Sequence, residues 1–360
     1  MNGEIMRKST LNLFGSEWFG IAISTLALAQ TYILAFGESA IIALRYVAEA
    51  FSILGISIFV VIFLIWIYRG FSMKDRVFSH WNNLTRLSFT ALIPIIAFVG
   101  NYQLIYFFGL SPSTAALSLV DYYSSYILAL GLGVMLGYRL YTKDINPAEM
   151  NYAIVIPPLA IGTSIFLAGP LMGYYGGIEA QTMYFLVLMG LGIFFFLFIF
   201  IGSLALAGHV SSKTHDALPT TMLPVGISSL IIINLFSIAG FGQIDHVILA
   251  ASSVDFLSIL LWGFEVWNFL VVVILIFTHP AKGTLGVWAY GFPLGLFATS
   301  TIKLLTFTNF PALVWVFVAI AVILNILWVY AWVNTGMFLK KTLSKENSEK
   351  YAVSKHNQGE

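Results

Sequence analysis

Two ionisable side chains stand inside long apolar runs of this 360-residue chain. Glu265 interrupts Leu-Leu-Trp-Gly-Phe-Glu-Val-Trp, and Lys303 interrupts Ala-Thr-Ser-Thr-Ile-Lys-Leu-Leu. A charge in an apolar phase is costly, so such residues are functional candidates by default. The Glu265 carboxyl suits proton coupling, and it equally suits a hydrogen bond between helices. Lys303 suits the attraction of anions to one mouth of a pathway. It equally suits snorkelling to the interface, paired with Asp121 or Asp255. Ser24, Ser164, Ser228 and Ser229 offer hydroxyls within other apolar runs. Such donors hold an anion weakly, or they bond one helix to its neighbour. Glu17 and Glu49 fall at run ends and read as interfacial.

Enzyme chemistry finds little to use. There is no cysteine, hence no thiolate ligand or nucleophile. No HExxH or paired-acid motif occurs. His80, His209, His215, His246 and His279 fall at loops or run ends, and His356 lies near the C-terminus. Haem or zinc within a membrane needs ligands inside the runs. No metal, cofactor or nucleic acid partner is expected.

The stretch Thr284–Phe307 carries a different signal. Pro293 removes a backbone donor, so a kink is expected there. Gly291 and Gly295 flank it, and Phe292 precedes it. A kink beside two glycines and a ring suits a narrow passage, although glycine and proline also serve plain packing in membrane helices.

The elements that must hold these residues follow from composition. Hydrophobic residues make up 59% and charged residues 9%, and mean hydropathy is +0.91. Soluble domains are ~25% charged, so this is a polytopic membrane protein. In lipid, long apolar runs must be helices. Ten are expected: Ser16–Phe36, Val47–Tyr68, Leu87–Phe108, Ala115–Leu140, Asn151–Met172, Ala180–Leu206, Leu218–Phe241, Ile248–Thr278, Leu285–Phe307 and Ala312–Met337. Residues 1–15 form a polar N-terminus with no secretory signal. Residues 16–337 form the transmembrane domain, and 338–360 a lysine-rich polar tail expected to be frayed.

Fifteen of the 17 Lys and Arg residues fall on one side of this topology. They include Arg7, Lys8, Arg69, Lys74, Arg76, Arg86, Arg139, Lys143, Lys213, Lys282 and the five tail lysines. The opposite side has Arg45 alone. The positive-inside rule then puts both termini in the cytoplasm of a multi-pass cell (plasma) membrane protein. Pro94, Pro158, Pro224 and Pro293 mark odd spans at separations of 64, 66 and 69 residues, while even spans lack internal proline. That is a two-span hairpin repeat, five units long. Kinked odd helices are expected inside and straight even helices outside.

Span 9, with Trp288-Ala289-Tyr290, Phe292-Pro293, Ala298-Thr299 and Thr301-Ile302-Lys303, resembles the tellurite-resistance/C4-dicarboxylate transporter family. That family includes plant slow anion channels and yeast malic acid permeases. Leu261-Trp262-Gly263-Phe264, Trp267, Leu218-Pro219, Met222-Leu223-Pro224-Val225-Gly226 and Trp18-Phe19-Gly20-Ile21 are similar too. The resemblance implies five hairpins around a central pore, a homotrimer in the lipid bilayer, and a phenylalanine plug at Phe292 beside Pro293. Gly20, Ser24, Pro94, Phe98, Pro158, Ser164, Pro224 and Ser228 are then the expected pore-lining residues. The expected function is a passive anion channel or uniporter for small anions or malate-like C4-dicarboxylates. The alternative is a proton-coupled carrier or exporter of C4-dicarboxylates or of oxyanions such as sulfite and tellurite.

Overall fold

The computed structural model describes residues 14–73, 83–142, 150–211, 217–241 and 250–356. Arg7, Lys8, Lys74, Arg76, Lys143 and Lys213, which enter the orientation argument, lie outside the described residues, as do His80, His215 and His246. The described residues form helices and no strand. Among the described residues, ten helical spans are long and apolar enough to cross a membrane. Spans 1–5 are Ser16–Ser39, Ile42–Ser72, Leu84–Phe108, Pro112–Thr142 and Tyr152–Tyr175. Spans 6–10 are Gly177–His209, Leu218–Gly240, Ala251–Thr278, Leu285–Thr308 and Ala312–Ser344.

Odd and even spans differ in build. Each even span is one continuous helix. The last runs on to His356, so the tail expected to be frayed continues the helix instead. At 31 residues, spans 2 and 4 reach about 46 Å, longer than the ~30 Å hydrocarbon core. Odd spans are interrupted. Span 1 opens with the 3-10 turn Ser16–Trp18, span 5 with Tyr152–Val155, span 7 with Leu218–Met222 and span 9 with Leu285–Tyr290. Span 3 breaks at Ala91, between helices Leu84–Thr90 and Leu92–Phe108.

Proline explains the positions of these breaks in spans 3, 5, 7 and 9; span 1 has none. Pro94, Pro157, Pro224 and Pro293 are each the second or third residue of an α-helical segment. Each proline lacks the N–H that would have bonded back to residue i−4, which is Thr90, Ala153, Thr220 or Ala289 in the preceding helical segment, so the hydrogen-bond ladder is broken there and starts afresh. The prolines therefore stand where α-helical segments start, and at Pro293 the change is from the 3-10 turn Leu285–Tyr290 to the α-helix that begins at Gly291. Side-chain caps complete the starts of three odd spans. Asn83 Oδ1 accepts from Arg86 N, Asn151 Oδ1 from Ala153 N, and Thr284 Oγ1 from Gly286 N, at 3.0, 2.9 and 3.1 Å.

Burial divides the spans in the same way. In the most apolar stretch of each odd span, 78, 56, 89, 83 and 89% is buried, against 17, 39, 28, 17 and 28% for the even spans. Each odd span touches the next odd span, and span 9 touches span 1, so their contacts close a ring. Each even span lies against its own hairpin partner and the following odd span, span 10 returning to span 1. Phe71, Tyr141, Phe277 and Trp315 on the even spans are largely exposed, a surface suited to lipid.

Without a hydrophobic drive between helices in lipid, close backbone approach does the packing. A Cβ at Gly291 would stand 2.4 Å from Ser24 Cβ, one at Gly295 2.7 Å from Ala27 Cβ, and one at Gly226 2.8 Å from Pro293 Cα. The span 9 glycines thus seat span 9 on span 1, rather than leaving backbone bare beside Phe292.

Candidate functional site: a cavity at the helix starts of the odd spans

All five odd spans meet at one small cavity of about 20 Å³. Span 1 contributes Glu17, Gly20 and Ile23, and span 3 contributes Phe89 and Leu92. Span 5 contributes Ile156 and Leu159, and span 7 contributes Leu223. Span 9 contributes Leu285, Trp288, Ala289, Phe292 and Pro293. Leu92, Ile156, Leu223 and Phe292 are each the first or second residue of their α-helical segment. The cavity therefore lies at one register in the ring, where each chain turns from its lead-in segment into α-helix. A legible signal existed: in spans 3, 5, 7 and 9 a bulky apolar residue stands one or two places before Pro94, Pro157, Pro224 and Pro293.

Phe292 is 5% exposed, and the chain around it has little slack. Ser24 Oγ donates to Trp288 O at 2.7 Å. Trp288 Nε1 donates to Thr335 Oγ1 of span 10 at 2.9 Å, and its ring meets Trp332 edge-on at 5.4 Å. A Cβ on Gly20 would stand 3.0 Å from Trp288 Cβ. With the Ser24–Gly291, Ala27–Gly295 and Gly226–Pro293 contacts, these fix the backbone on both sides of Phe292.

The other residues singled out in the sequence lie as follows. Gly20 and Pro293 border the cavity; Ser24, Pro94, Phe98, Pro158, Ser164, Pro224 and Ser228 do not. Ser24 cross-links spans 1 and 9 through Trp288 O. Phe98 turns toward span 4, its ring centroid 6.0 Å from that of Tyr122. Ser228 donates back to Pro224 O at 3.1 Å, and Ser229 to Val225 O at 2.8 Å. Ser164 is buried at the break between the two helices of span 5. Pro94, Pro158 and Pro224 are buried in the first turns of their helical segments.

Glu265 belongs to an even span yet is completely buried. Its side chain turns inward between spans 7, 8 and 9. Ser300 Oγ lies 2.9 Å from Glu265 Oε2 and 3.0 Å from Phe297 O, so its one proton has two acceptors in reach. Ser229 of span 7 also faces the carboxyl. Nearby, Trp262 Nε1 donates to Thr301 Oγ1 at 3.1 Å.

Lys303 is half-buried and makes no ion pair among the described residues, so the expected pairing with Asp121 or Asp255 is corrected. Asp121 is engaged instead by Asn101 Nδ2 at 2.9 Å and Ser125 Oγ at 3.1 Å. Eleven residues beyond Phe292, Lys303 returns to within about 20° of the same helix face, about three turns farther along. His209 stacks on Tyr152 and accepts from its N–H at 3.4 Å, which ties the end of span 6 to the start of span 5.

Over residues 13–336 the sequence matches the SLAC1 family, voltage-dependent anion channel. The chain belongs to this family. The resemblance read from span 9 is thereby borne out, and anion transport across a membrane is the general class of function. The chain is also similar to an uncharacterized transporter of Methanocaldococcus jannaschii, 20% identical over 307 residues that cover 82% of this chain and 85% of that protein.

Proposed function

We propose that the protein is a passive channel or uniporter for small anions or C4-dicarboxylates such as malate, with a central pathway plugged by Phe292. The observation carrying this reading is the cavity to which every odd span contributes and in whose wall Phe292 stands. At about 20 Å³ it has room for about one water, so ion passage requires a change in its wall. The backbone about Phe292 is clamped, so opening falls to rotation of the ring or to joint movement of spans 1, 7 and 9. The cavity wall is almost wholly apolar. That suits a hydrophobic constriction, which conducts once wetted and does not retain the ion.

The test is anion conductance in a bilayer, normalised to folded protein. Phe292→Ala removes the ring and keeps Pro293, so conductance per molecule rises. An ordinary core phenylalanine behaves otherwise: its loss costs about 3–5 kcal/mol on the soluble-protein scale and lowers the amount of folded protein, with conductance per molecule unchanged. No rise for Phe292→Ala or Phe292→Leu removes the gate.

A proton-coupled carrier of C4-dicarboxylates or of oxyanions such as sulfite and tellurite is the second reading. It is favoured by the buried Glu265 carboxyl, which touches the span that carries Phe292. Glu265→Gln keeps the shape and removes the titratable group. A carrier then loses its pH dependence while the protein stays folded; unchanged pH dependence leaves Glu265 a structural link. The proposal includes placement in the cell membrane with both termini cytoplasmic, a homotrimer, and no catalytic step.

A further inference from the structure

Among the described residues bordering the central cavity, Glu17 is the charged one. Its side chain is 30% exposed, so this end of the cavity meets solvent. A carboxylate at a mouth with low-dielectric walls repels entering anions, because such walls focus its field. The structure supplies a counter-charge from another odd span. Arg86 Nε lies 3.4 Å from Glu17 Oε1. Three features hold that geometry. Ser16 Oγ donates to Arg86 O at 2.8 Å, and Asn83 caps Arg86 N at 3.0 Å. Gly15 leaves open the space that the carboxylate occupies, since a Cβ there would stand 1.9 Å from Glu17 Oε2. With Arg86 45% exposed, such a pair contributes little to stability. Its consequence is for the charge that an ion meets on entry.

We infer that Glu17 and Arg86 form the charge filter of this mouth, Arg86 masking the carboxylate that would otherwise exclude anions. The inference rests on the proposed central pathway and assigns it two specificity residues. It makes the two single substitutions act in opposite directions. Removing Arg86 exposes a bare carboxylate, and removing Glu17 frees a guanidinium to attract anions. Removing both leaves a neutral mouth.

The experiment uses the full chain in planar bilayers with chloride as the probe, in the Phe292→Ala background. At low salt, Arg86→Gln is expected to lower conductance per folded molecule about threefold or more, and Glu17→Gln to raise it by a similar factor. The Glu17→Gln/Arg86→Gln pair is expected to return within about twofold of the background, which a folding defect at Arg86 would not do. In 1 M salt, where the screening length is about 3 Å, the differences should shrink. Equal conductance in all four proteins overturns the filter. So does a double variant that stays as low as Arg86→Gln, or a fall on Glu17→Gln. A silent Phe292→Ala background overturns the pathway itself, and the filter with it; that failure is recognised because every variant is then silent.

Discussion

Gly291→Ala is the sharpest perturbation of the clamp around Phe292. The new methyl would stand 2.4 Å from Ser24 Cβ and 2.5 Å from Ser24 Oγ. Carbon atoms rest about 3.5–4.0 Å apart, so spans 1 and 9 must separate by roughly 1–1.5 Å or Ser24 must turn away. Separation is overpacking strain of about 1–3 kcal/mol. Turning Ser24 breaks its bond to Trp288 O, a net loss of about 1 kcal/mol. Gly291→Ala should therefore destabilise the protein by about 2–4 kcal/mol if both occur. Ser24→Gly removes the Cβ that the methyl strikes and costs about 1 kcal/mol for the same hydrogen bond. The double variant should then be nearly as stable as Ser24→Gly alone, a coupling of about 2–4 kcal/mol, the whole cost of Gly291→Ala. Thermal unfolding in detergent, followed by tryptophan fluorescence, reads this directly because Trp288 lies in the affected turn. A Gly291→Ala protein as stable as the parent, or a double variant that loses the full sum, would refute close backbone approach as the reason for glycine here.

Lys303→Gln should slow anion entry about threefold at low ionic strength and much less in 1 M salt, read as initial uptake into liposomes; equal rates at low salt would make Lys303 an interfacial anchor. Reporters fused at either terminus should both read cytoplasmic, since ten spans return the chain to its starting side and the Lys and Arg bias makes that side the cytoplasm; an extracellular reading at Glu360 would overturn the orientation. The Phe292 and Glu265 variants separate a plugged channel from a proton-coupled carrier, through conductance and pH dependence respectively.

The sequence by itself determined the ten spans, their alternation and the family. Span length follows from bilayer thickness and backbone satisfaction, both local properties of the chain. The proline spacing marked the odd spans as different, and burial agrees with that division. Which way each helix faces was decided only by tertiary structure. Lipid and protein core are both apolar, so hydropathy carries almost no information about rotation around a helix axis. Phe98 and Phe292 look alike in sequence, yet one turns toward span 4 and the other toward the cavity. Glu265 sits on a lipid-facing helix and still points inward, because Ser300, 35 residues away, gives it a partner. Ser24 and Gly291 read as a pore hydroxyl and bare backbone; separated by most of the chain, they are two sides of one contact. Glu17 read as interfacial from its place at a run end; its partner Arg86, on span 3, is brought beside it only when spans 1 and 3 pack together.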